Sequence, residues 1–255
     1  MSIGHFSLSF LLLNLIIQSL FASSSDSLSF ARTPDSVKSL IIEHMAYTLS
    51  WNSEFNVPNW VGYCLTHNEV ETKVIERSNK FRIDPKVAGC PSSDEYKKSG
   101  YDRGHMAPSA DMRWDSVAMR ECFYMTNMCP QRHKLNAGIW KKYEDKVREL
   151  ALRYDSIYIC AGPIINKDVS KRKYIGSKCK VVVPTEFFKV LLVNNYGVWY
   201  AIAYIFPAEY EDEGLHIETI DFLEYMTGID FFYNLPDDVE TEVESCVKLE
   251  IFSEI

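Results

Sequence analysis

The sequence predicts an α+β fold in which a central antiparallel sheet is flanked by helices. Three observations favour it. The apolar, β-prone segments come in runs and do not alternate with helices, which argues against a parallel α/β sheet. Residues 136–154 have a strong helical periodicity. Two apolar segments are joined by Asn194–Gly197, a typical hairpin turn.

The first predicted strands precede a long loop. Ile41–Trp51 partly alternates apolar and polar residues, and Trp60–Leu65 is aromatic and β-prone. With Pro58 and Asn59 between them, these segments predict an antiparallel pair. Ser78–Gly100 is polar and contains proline and glycine, which predicts a surface loop.

The second half of the chain holds the predicted helices and the remaining strands. The main helix is predicted over Asn136–Tyr154, with Asn136 as its N-cap. A later helix is predicted over Ile217–Met226 and ends before Gly228. Asn194–Gly197 predicts a hairpin with a four-residue loop. The predicted strands are Ser156–Cys160, Lys180–Val183, Phe187–Val193 and Val198–Ile205.

Length and composition predict one folded domain behind a short leader. The chain has 255 residues, of which 47% are hydrophobic, and this composition can fill a sizeable core. No repeat of 20–50 residues is visible, so a solenoid is not expected. We predict a leader over residues 1–25 and a single domain over 26–255, with an acidic C-terminal segment from about residue 209.

The leader predicts export to the periplasm or the extracellular space. Leu8–Leu13 opens an apolar stretch too short and broken for a membrane span, and small residues at Ala22–Ser25 suit cleavage. No Lys or Arg precedes the apolar stretch, so an uncleaved N-terminal anchor is the alternative. Only in that case is a stable association with a membrane expected.

The seven cysteines are compatible with export but do not require it. An odd number leaves at least one thiol unpaired, and the spacing contains no zinc motif. Cys122 with Cys129, or Cys160 with Cys179, could form a disulfide, and buried free thiols are the alternative.

Charge is distributed unevenly along the chain. Residues 209–255 carry 15 acidic residues and one basic residue, a net charge of -14. Because the whole chain carries -8, the remainder carries +6. A basic body suits an anionic polymer, whereas an acidic segment suits solubility or is simply a solvated face.

The segment Asp102–Ala110, DRGHMAPSA, gathers an acid, a cation, a glycine and a histidine. Hydrolysis of a phosphodiester needs a base to activate water and positive charge to neutralise the transition state. His105 is a suitable base near pH 7. Read singly, an Asp-Arg pair is usually a local ion pair, a lone His is usually structural, and Gly104 lets the chain turn.

Amide and carboxylate groups after this motif suit a hydrated divalent cation. Asn127, Asn136 and Glu144 follow in order. In a straight helix Asn136 and Glu144 would lie roughly 80° apart around the axis and about two turns apart along it. Such a site suits Mg²⁺, which prefers oxygen ligands and keeps several waters. Each residue also has a structural alternative: a helix cap, a turn residue and an ion pair with a nearby lysine.

The order of three segments resembles the signature of the DNA/RNA non-specific endonucleases, the ββα-metal nucleases. The segments are DRGHMAPSADM, FYMTNMCPQ and LNAGIWKKYE. The matches are detailed over about residues 100–150 and looser over roughly 40–235, where VPTEFFKV and TGIDFFYNLPDDVE look like exported bacterial members. The matching positions are Met106, Ala110, Asn127, Pro130, Gln131, Leu135, Asn136 and Glu144.

This resemblance implies a ββα-metal fold whose motif helix carries the metal site. His105 would be the general base, and Asn136 the one direct protein ligand of Mg²⁺, or of Mn²⁺ or another divalent ion. Glu144 would hold the metal's waters. Asn127 would orient the site, and Asp102 and Arg103 would flank it.

The resemblance also implies phosphate contacts by arginines. Arg103 would contact phosphate, and a second arginine is expected upstream, where Arg77 is preferred over Arg82. The partners would be DNA and RNA, bound through the phosphate backbone. The aromatic strands could also build a homodimer face.

Two other functions remain possible at this point. A phosphodiesterase acting on small nucleotides would need an enclosed pocket. A non-catalytic nucleic-acid-binding module would have no need of His105, Asn136 and Glu144. The intact motif favours a metal-dependent endonuclease that does not distinguish the sugar.

Overall fold

We describe a computed structural model of the chain over residues 30–209 and 215–252. The predicted leader lies outside these residues. The strands are β1 (Ala31–Arg32), β2 (Leu40–Glu43), β3 (Thr48–Asn52), β4 (Val57–Thr66), β5 (Asp102–His105), β6 (Met128–Gln131), β7 (Ser156–Ile164), β8 (Lys173–Ile175), β9 (Val181–Val183), β10 (Glu186–Asn195), β11 (Val198–Pro207), β12 (His216–Glu218) and β13 (Asp230–Phe231).

Within residues 30–209 and 215–252, seven α-helical segments accompany these strands. They are α1 (His67–Glu71), α2 (Ser116–Glu121), α3 (His133–Leu135), α4 (Lys141–Arg153), α5 (Ile220–Thr227), α6 (Asp237–Ser245) and α7 (Leu249–Phe252). A π-helical turn, Asn136–Trp140, joins α3 to α4. We call residues 133–153 the bent helix.

A seven-stranded antiparallel sheet organises the molecule, as the sequence predicts. Its strand order is β12-β11-β10-β7-β4-β3-β2. Two-stranded ribbons form beside it from β5 with β6, β8 with β9, and β1 with β13. The fold is therefore α+β.

Side chains on the two faces of this sheet form two separate cores. On one face Trp140 from the bent helix packs edge-on against Phe187 and Phe206 of the sheet. On the other face Leu223 and Phe231 belong to a second buried cluster beneath α5 and α6. Each fully buried side chain of this size stabilises the fold by about 1.5–3 kcal/mol. The bent helix is thereby fixed against one face of the sheet.

The first predicted strand is wrong, because it is two strands. A turn separates β2 from β3, closed by a hydrogen bond from His44 N–H to the Tyr47 carbonyl. Pro58 and Asn59 do not form the next turn but lie inside β4. The pairing shifts between Ser50 and Trp51, which makes a bulge that accommodates the proline within the sheet.

The later hairpin is tighter than predicted. β10 and β11 are joined by two residues, Tyr196 and Gly197, with φ of 52° and 87°. Positive φ at both positions defines a type I′ turn, whose twist matches that of the strands. The predicted strand Lys180–Val183 contains β9, which pairs with β8 outside the main sheet.

The described part of the acidic C-terminal segment, residues 215–252, packs against the main sheet. The predicted helix begins later than expected, because residues 216–218 form β12 and Thr219 caps α5. Its predicted end is confirmed: Gly228 caps it with φ of 72°. Apolar side chains of this segment, including Val243, are buried against the sheet. Its carboxylates differ in exposure: Asp237 and Asp238 are exposed, whereas Glu224 and Glu244 are half-buried.

All seven cysteines lie within the described residues, and all are free thiols. Cys160 is buried in β7, and Cys179 lies just before β9 of a separate ribbon, so these two do not form the disulfide that the sequence left open. In the described ranges we find no helix with the length and apolar character required to cross a membrane.

Candidate active site

The DRGH motif forms β5, which pairs with β6 in an antiparallel ribbon. The register places Asp102 opposite Gln131 and His105 opposite Met128. Gly104 lies in extended backbone and not in a turn, contrary to the expectation from sequence. A methyl group there would lie 1.9 Å from Oε1 and 2.3 Å from Cδ of Gln131. The glycine is required because the Gln131 side chain lies directly on the backbone.

Asn127 holds the chain that follows this motif. Its Nδ2 donates to the carbonyls of Ala107 and Cys122, both at 2.8 Å, and its Oδ1 accepts from Ala107 N–H at 2.9 Å. The residue is 0% exposed. Its amide is bound to backbone and does not reach the surface, so the expected catalytic role is limited to positioning.

His105 lies in a buried aromatic setting. Its ring centroid is 4.9 Å from that of Phe123 and 5.7 Å from that of Phe81, and the residue is 8% exposed. Burial, together with Arg77 and Arg103, lowers the pKa of His105 to about 3. Its Nε2 has no hydrogen-bond partner among the described residues. A neutral imidazole with an unpartnered nitrogen is able to accept a proton, and an ordered water is expected there.

Two arginines flank this histidine. The Arg103 guanidinium lies 4.1 Å from the Phe81 ring centroid, and that of Arg77 lies 5.5 Å from the Phe123 ring centroid. Arg77 also donates to Ser109 Oγ at 2.7 Å. Both guanidinium groups are therefore placed where they can meet a phosphate beside His105.

Arg82, the other upstream candidate, has a different environment. Its backbone pairs with the chain around Tyr124, and its side chain is exposed. The positive charges that influence His105 come from Arg77 and Arg103. Of the two upstream candidates, Arg77 is therefore the one that lies near His105.

Asp102 and Asn136 are joined directly. Asp102 Oδ2 accepts a hydrogen bond from Asn136 Nδ2 at 3.0 Å and another from His133 Nδ1 at 2.8 Å. Because its amide nitrogen is held by Asp102, Asn136 keeps its Oδ1 for another partner. An amide oxygen beside a carboxylate fits a hydrated divalent cation with oxygen ligands.

The helix that carries Asn136 is not the predicted one. It begins at His133, so Asn136 is not its N-cap, and a π turn spans Asn136–Trp140. Gly138 has φ of -100° and ψ of -112°, which bends the helix, so the angle of a straight helix does not apply. Trp140 Nε1 donates to the His105 carbonyl at 3.2 Å. The π turn thus brings the helix against the end of β5.

Glu144 belongs to a buried charge cluster. Burial raises its pKa to about 7, against the lowering effect of Lys189 and Arg148. Arg148 donates to Asp111 Oδ1 at 2.6 Å, and Tyr63 OH donates to Asp111 Oδ2 at 2.8 Å. The cluster connects the bent helix to the loop after the motif.

Lys189 is the least expected member of this cluster. It is 0% exposed, and its Nζ lies 4.3 Å from the Trp140 ring centroid without a hydrogen-bond partner among the described residues. Burial lowers its pKa, and Glu144 is the largest opposing influence. Sequence reasoning did not identify Asp111, Arg148 or Lys189 as part of the site. The i,i+4 spacing of Glu144 and Arg148 was the one available signal.

A group of three carboxylates lies on the opposite face of the sheet. Asp221, Glu224 and Glu244 have oxygens within 4.8 Å of one another. Within the described ranges this is the one such group of His, Cys, Asp or Glu side chains. The site around Asn136 is thus not a carboxylate cage. Its single amide oxygen suits a metal that keeps most of its water.

Residues 28–238 match the family model described as DNA/RNA non-specific endonuclease. The chain is 34% identical over 232 residues to a nuclease of the cyanobacterium Nostoc, covering 84% of this chain and 80% of that one. It is 32% identical over 157 residues to the mitochondrial nuclease EXOG of zebrafish, Danio rerio. That match covers 58% of this chain and 46% of the relative. The match to the EXOG nuclease of the frog Xenopus laevis covers 62% of that relative, so the chain spans only part of the length of these two relatives.

A solved structure has the same fold. The structure described as an EndoG/EndoGI complex, in a study of EndoG inhibition, superposes with a TM-score of 0.70 and 30% identity. The match covers 77% of this chain and 86% of that chain.

Proposed function

Because the chain belongs to the DNA/RNA non-specific endonuclease family, we propose that it is a metal-dependent endonuclease that hydrolyses phosphodiester bonds in both DNA and RNA. One observation carries the proposal. His105 presents a ring nitrogen that has no hydrogen-bond partner among the described residues, between Arg77 and Arg103, at the strand end where the helix bearing Asn136 makes contact.

His105 would act as the general base. At pH 7 the ring is neutral, as a general base must be, but a pKa of about 3 makes the imidazole of the free protein a weak base. Arg77 and Arg103 would neutralise the phosphate oxygens as negative charge develops. A bound phosphate would offset these two cations, so the pKa of His105 would rise once substrate is in place.

Asn136 Oδ1 would hold the divalent metal, and Asp102 would fix the orientation of that amide. Mg²⁺ is the ion we propose, since one amide oxygen leaves room for the waters it keeps; Mn²⁺ is the alternative. A divalent ion here would supply charge stabilisation to the phosphate and the leaving oxygen. Glu144, with a pKa near 7, would accept hydrogen bonds from the ion's waters.

The family to which the chain belongs is described as acting on DNA and RNA, and this supports action on polymers. Arg77 and Arg103 present charge suited to phosphate groups, which position a strand without specifying its sequence. We therefore favour a nucleic-acid backbone over a small nucleotide as the substrate.

The test is a digestion assay on the full chain. Supercoiled plasmid and single-stranded RNA are incubated with Mg²⁺ or with EDTA, beside the His105→Ala variant. Metal-dependent loss of both polymers, absent in the variant, is expected. Intact polymers at every metal concentration would overturn the proposal, and cyclic dinucleotides would then test the small-nucleotide alternative.

We also propose that the protein is exported, on the strength of the apolar stretch at Leu8–Leu13 and the small residues at Ala22–Ser25. Fractionation of expressing cells, with sequencing of the N-terminus, is the test. Cleavage near Ala22 and recovery outside the cytoplasm are expected. An intact N-terminus on cytoplasmic protein would contradict export.

A further inference from the structure

Arg132 lies beside the proposed metal site. It directly follows β6, and its carbonyl accepts the Asn136 N–H at 2.9 Å. The next residue, His133, is bonded to Asp102. The backbone of Arg132 is thus fixed at the edge of the Asp102–Asn136 pair.

The Arg132 guanidinium is held in a defined plane. It stacks over the Tyr101 ring, 4.3 Å from the centroid. Nε donates to both carboxylate oxygens of Glu209, at 3.0 and 3.2 Å, and Nη2 donates to Oε1 at 2.9 Å. This is the forked geometry with which arginine binds carboxylate or phosphate.

The pairing of Arg132 with Glu209 is open to solvent. The two side chains are 38% and 67% exposed. Exposed ion pairs of this kind contribute little to stability. A carboxylate in this position occupies the donors that a phosphodiester would use, and it can be displaced at small cost.

We infer that Arg132, supported by Tyr101, binds a backbone phosphate of the nucleic-acid strand next to the scissile phosphate, and that Glu209 competes for the same donors. The inference rests on the proposed function. It implies a substrate with at least two phosphates, such as a nucleic-acid strand, because a single phosphodiester has no second phosphate to reach Arg132. Glu209 would therefore weaken binding until the strand displaces it.

Binding is measured first, by fluorescence anisotropy of a labelled 20-nucleotide single-stranded DNA in EDTA, so that hydrolysis does not contribute. Arg132→Gln should weaken binding about tenfold, as expected for one charge-assisted contact. The slope of log affinity against log salt should fall by about 0.7, the value for one phosphate contact on a single strand. Glu209→Gln should tighten binding about threefold, a factor within the range of exposed ion pairs, and should have no effect in the Arg132→Gln background.

A matched control comes from the other side of the sheet. Arg32 pairs with Asp230 and lies 4.8 Å from the Tyr233 ring centroid, so it reproduces the Arg132 arrangement away from the site. Arg32→Gln should leave affinity and salt slope unchanged. Arg132→Lys keeps the positive charge but loses the paired donors of the guanidinium group. Its affinity for DNA should lie between those of wild type and Arg132→Gln.

Hydrolysis separates this inference from the proposed function. With Mg²⁺, Arg132→Gln should raise KM for DNA but leave the turnover of bis(p-nitrophenyl) phosphate unchanged. Equal losses on both substrates, or wild-type affinity and salt slope in Arg132→Gln, would overturn the inference. If wild-type protein cleaves no polymer, the proposed function fails, and the binding results still decide whether Arg132 contacts phosphate.

Discussion

Replacement of Gly104 by alanine tests how the motif strand is held. The added methyl group would lie 1.9 Å from Oε1, 2.3 Å from Cδ and 2.6 Å from Cγ of Gln131. Gln131 is fully buried, and both polar atoms of its amide have no hydrogen-bond partner among the described residues. The side chain therefore has to leave its position, or β5 and β6 have to separate.

The expected cost follows from overpacking. Forcing extra atoms into a closely packed interior destabilises by about 1–3 kcal/mol. For a domain of this size, each kcal/mol lowers Tm by roughly 2–4 °C. Gln131→Ala removes all three clashing atoms, so it should relieve Gly104→Ala. The coupling free energy should reach about 1–2 kcal/mol.

Thermal unfolding and DNA cleavage of wild type, both single variants and the double variant form the assay. Gly104→Ala should also lose activity, since His105 follows directly and a displacement of about 1 Å can cost 10²-fold. The double variant should recover most of the lost Tm. If Gly104→Ala melts with the wild type, or if the two substitutions are additive, the packing explanation is refuted.

Three further predictions concern the chemistry. His105→Gln should lower the cleavage rate by about 10²–10⁴-fold, the usual contribution of a general base, while DNA affinity in EDTA stays within about twofold of wild type. An equal loss of affinity would assign His105 to binding. Arg103→Met removes a cation that lowers the pKa of His105, so this pKa rises and the acid limb of kcat/KM moves to higher pH; an unchanged limb in the pH profile would contradict it. Asn136→Ala should lower activity, and excess Mg²⁺ should restore it only in part. Asp102→Asn should weaken the apparent affinity for Mg²⁺ less than Asn136→Ala does. If the Mg²⁺ titrations of both variants match that of wild type, Asn136 is not part of the metal site.

The main sheet was predictable because its strands are themselves apolar, β-prone runs of residues. Apolar β-prone runs gave β7, β10 and β11, and Gly228 marked the end of α5. The positions of the turns were harder to predict from the sequence. A proline inside β4 is compatible with a strand only where a bulge frees its position from the ladder, and that bulge depends on pairing with β3.

The order of the motif residues along the sequence was enough to predict part of the site. The features of the site that depend on side-chain packing could not be predicted from the sequence. The order of the motif segments indicated His105 and Asn136, and the structure places their backbones on neighbouring elements. The role of Gly104 depends on a side chain 27 positions away in sequence, and the pKa shift of His105 depends on Phe81 and Phe123 as well as on charge. Lys189 resembles any lysine in a strand until the fold buries it beside Glu144.

Anomalous X-ray scattering from Mn²⁺ in crystals of the full chain tests most directly where the chemistry takes place. We propose that a divalent ion binds where β5 meets the bent helix. A peak at Asn136 Oδ1, lost in a folded Asn136→Ala variant, is the predicted result. A peak confined to Asp221, Glu224 and Glu244, with none at Asn136, would contradict the account.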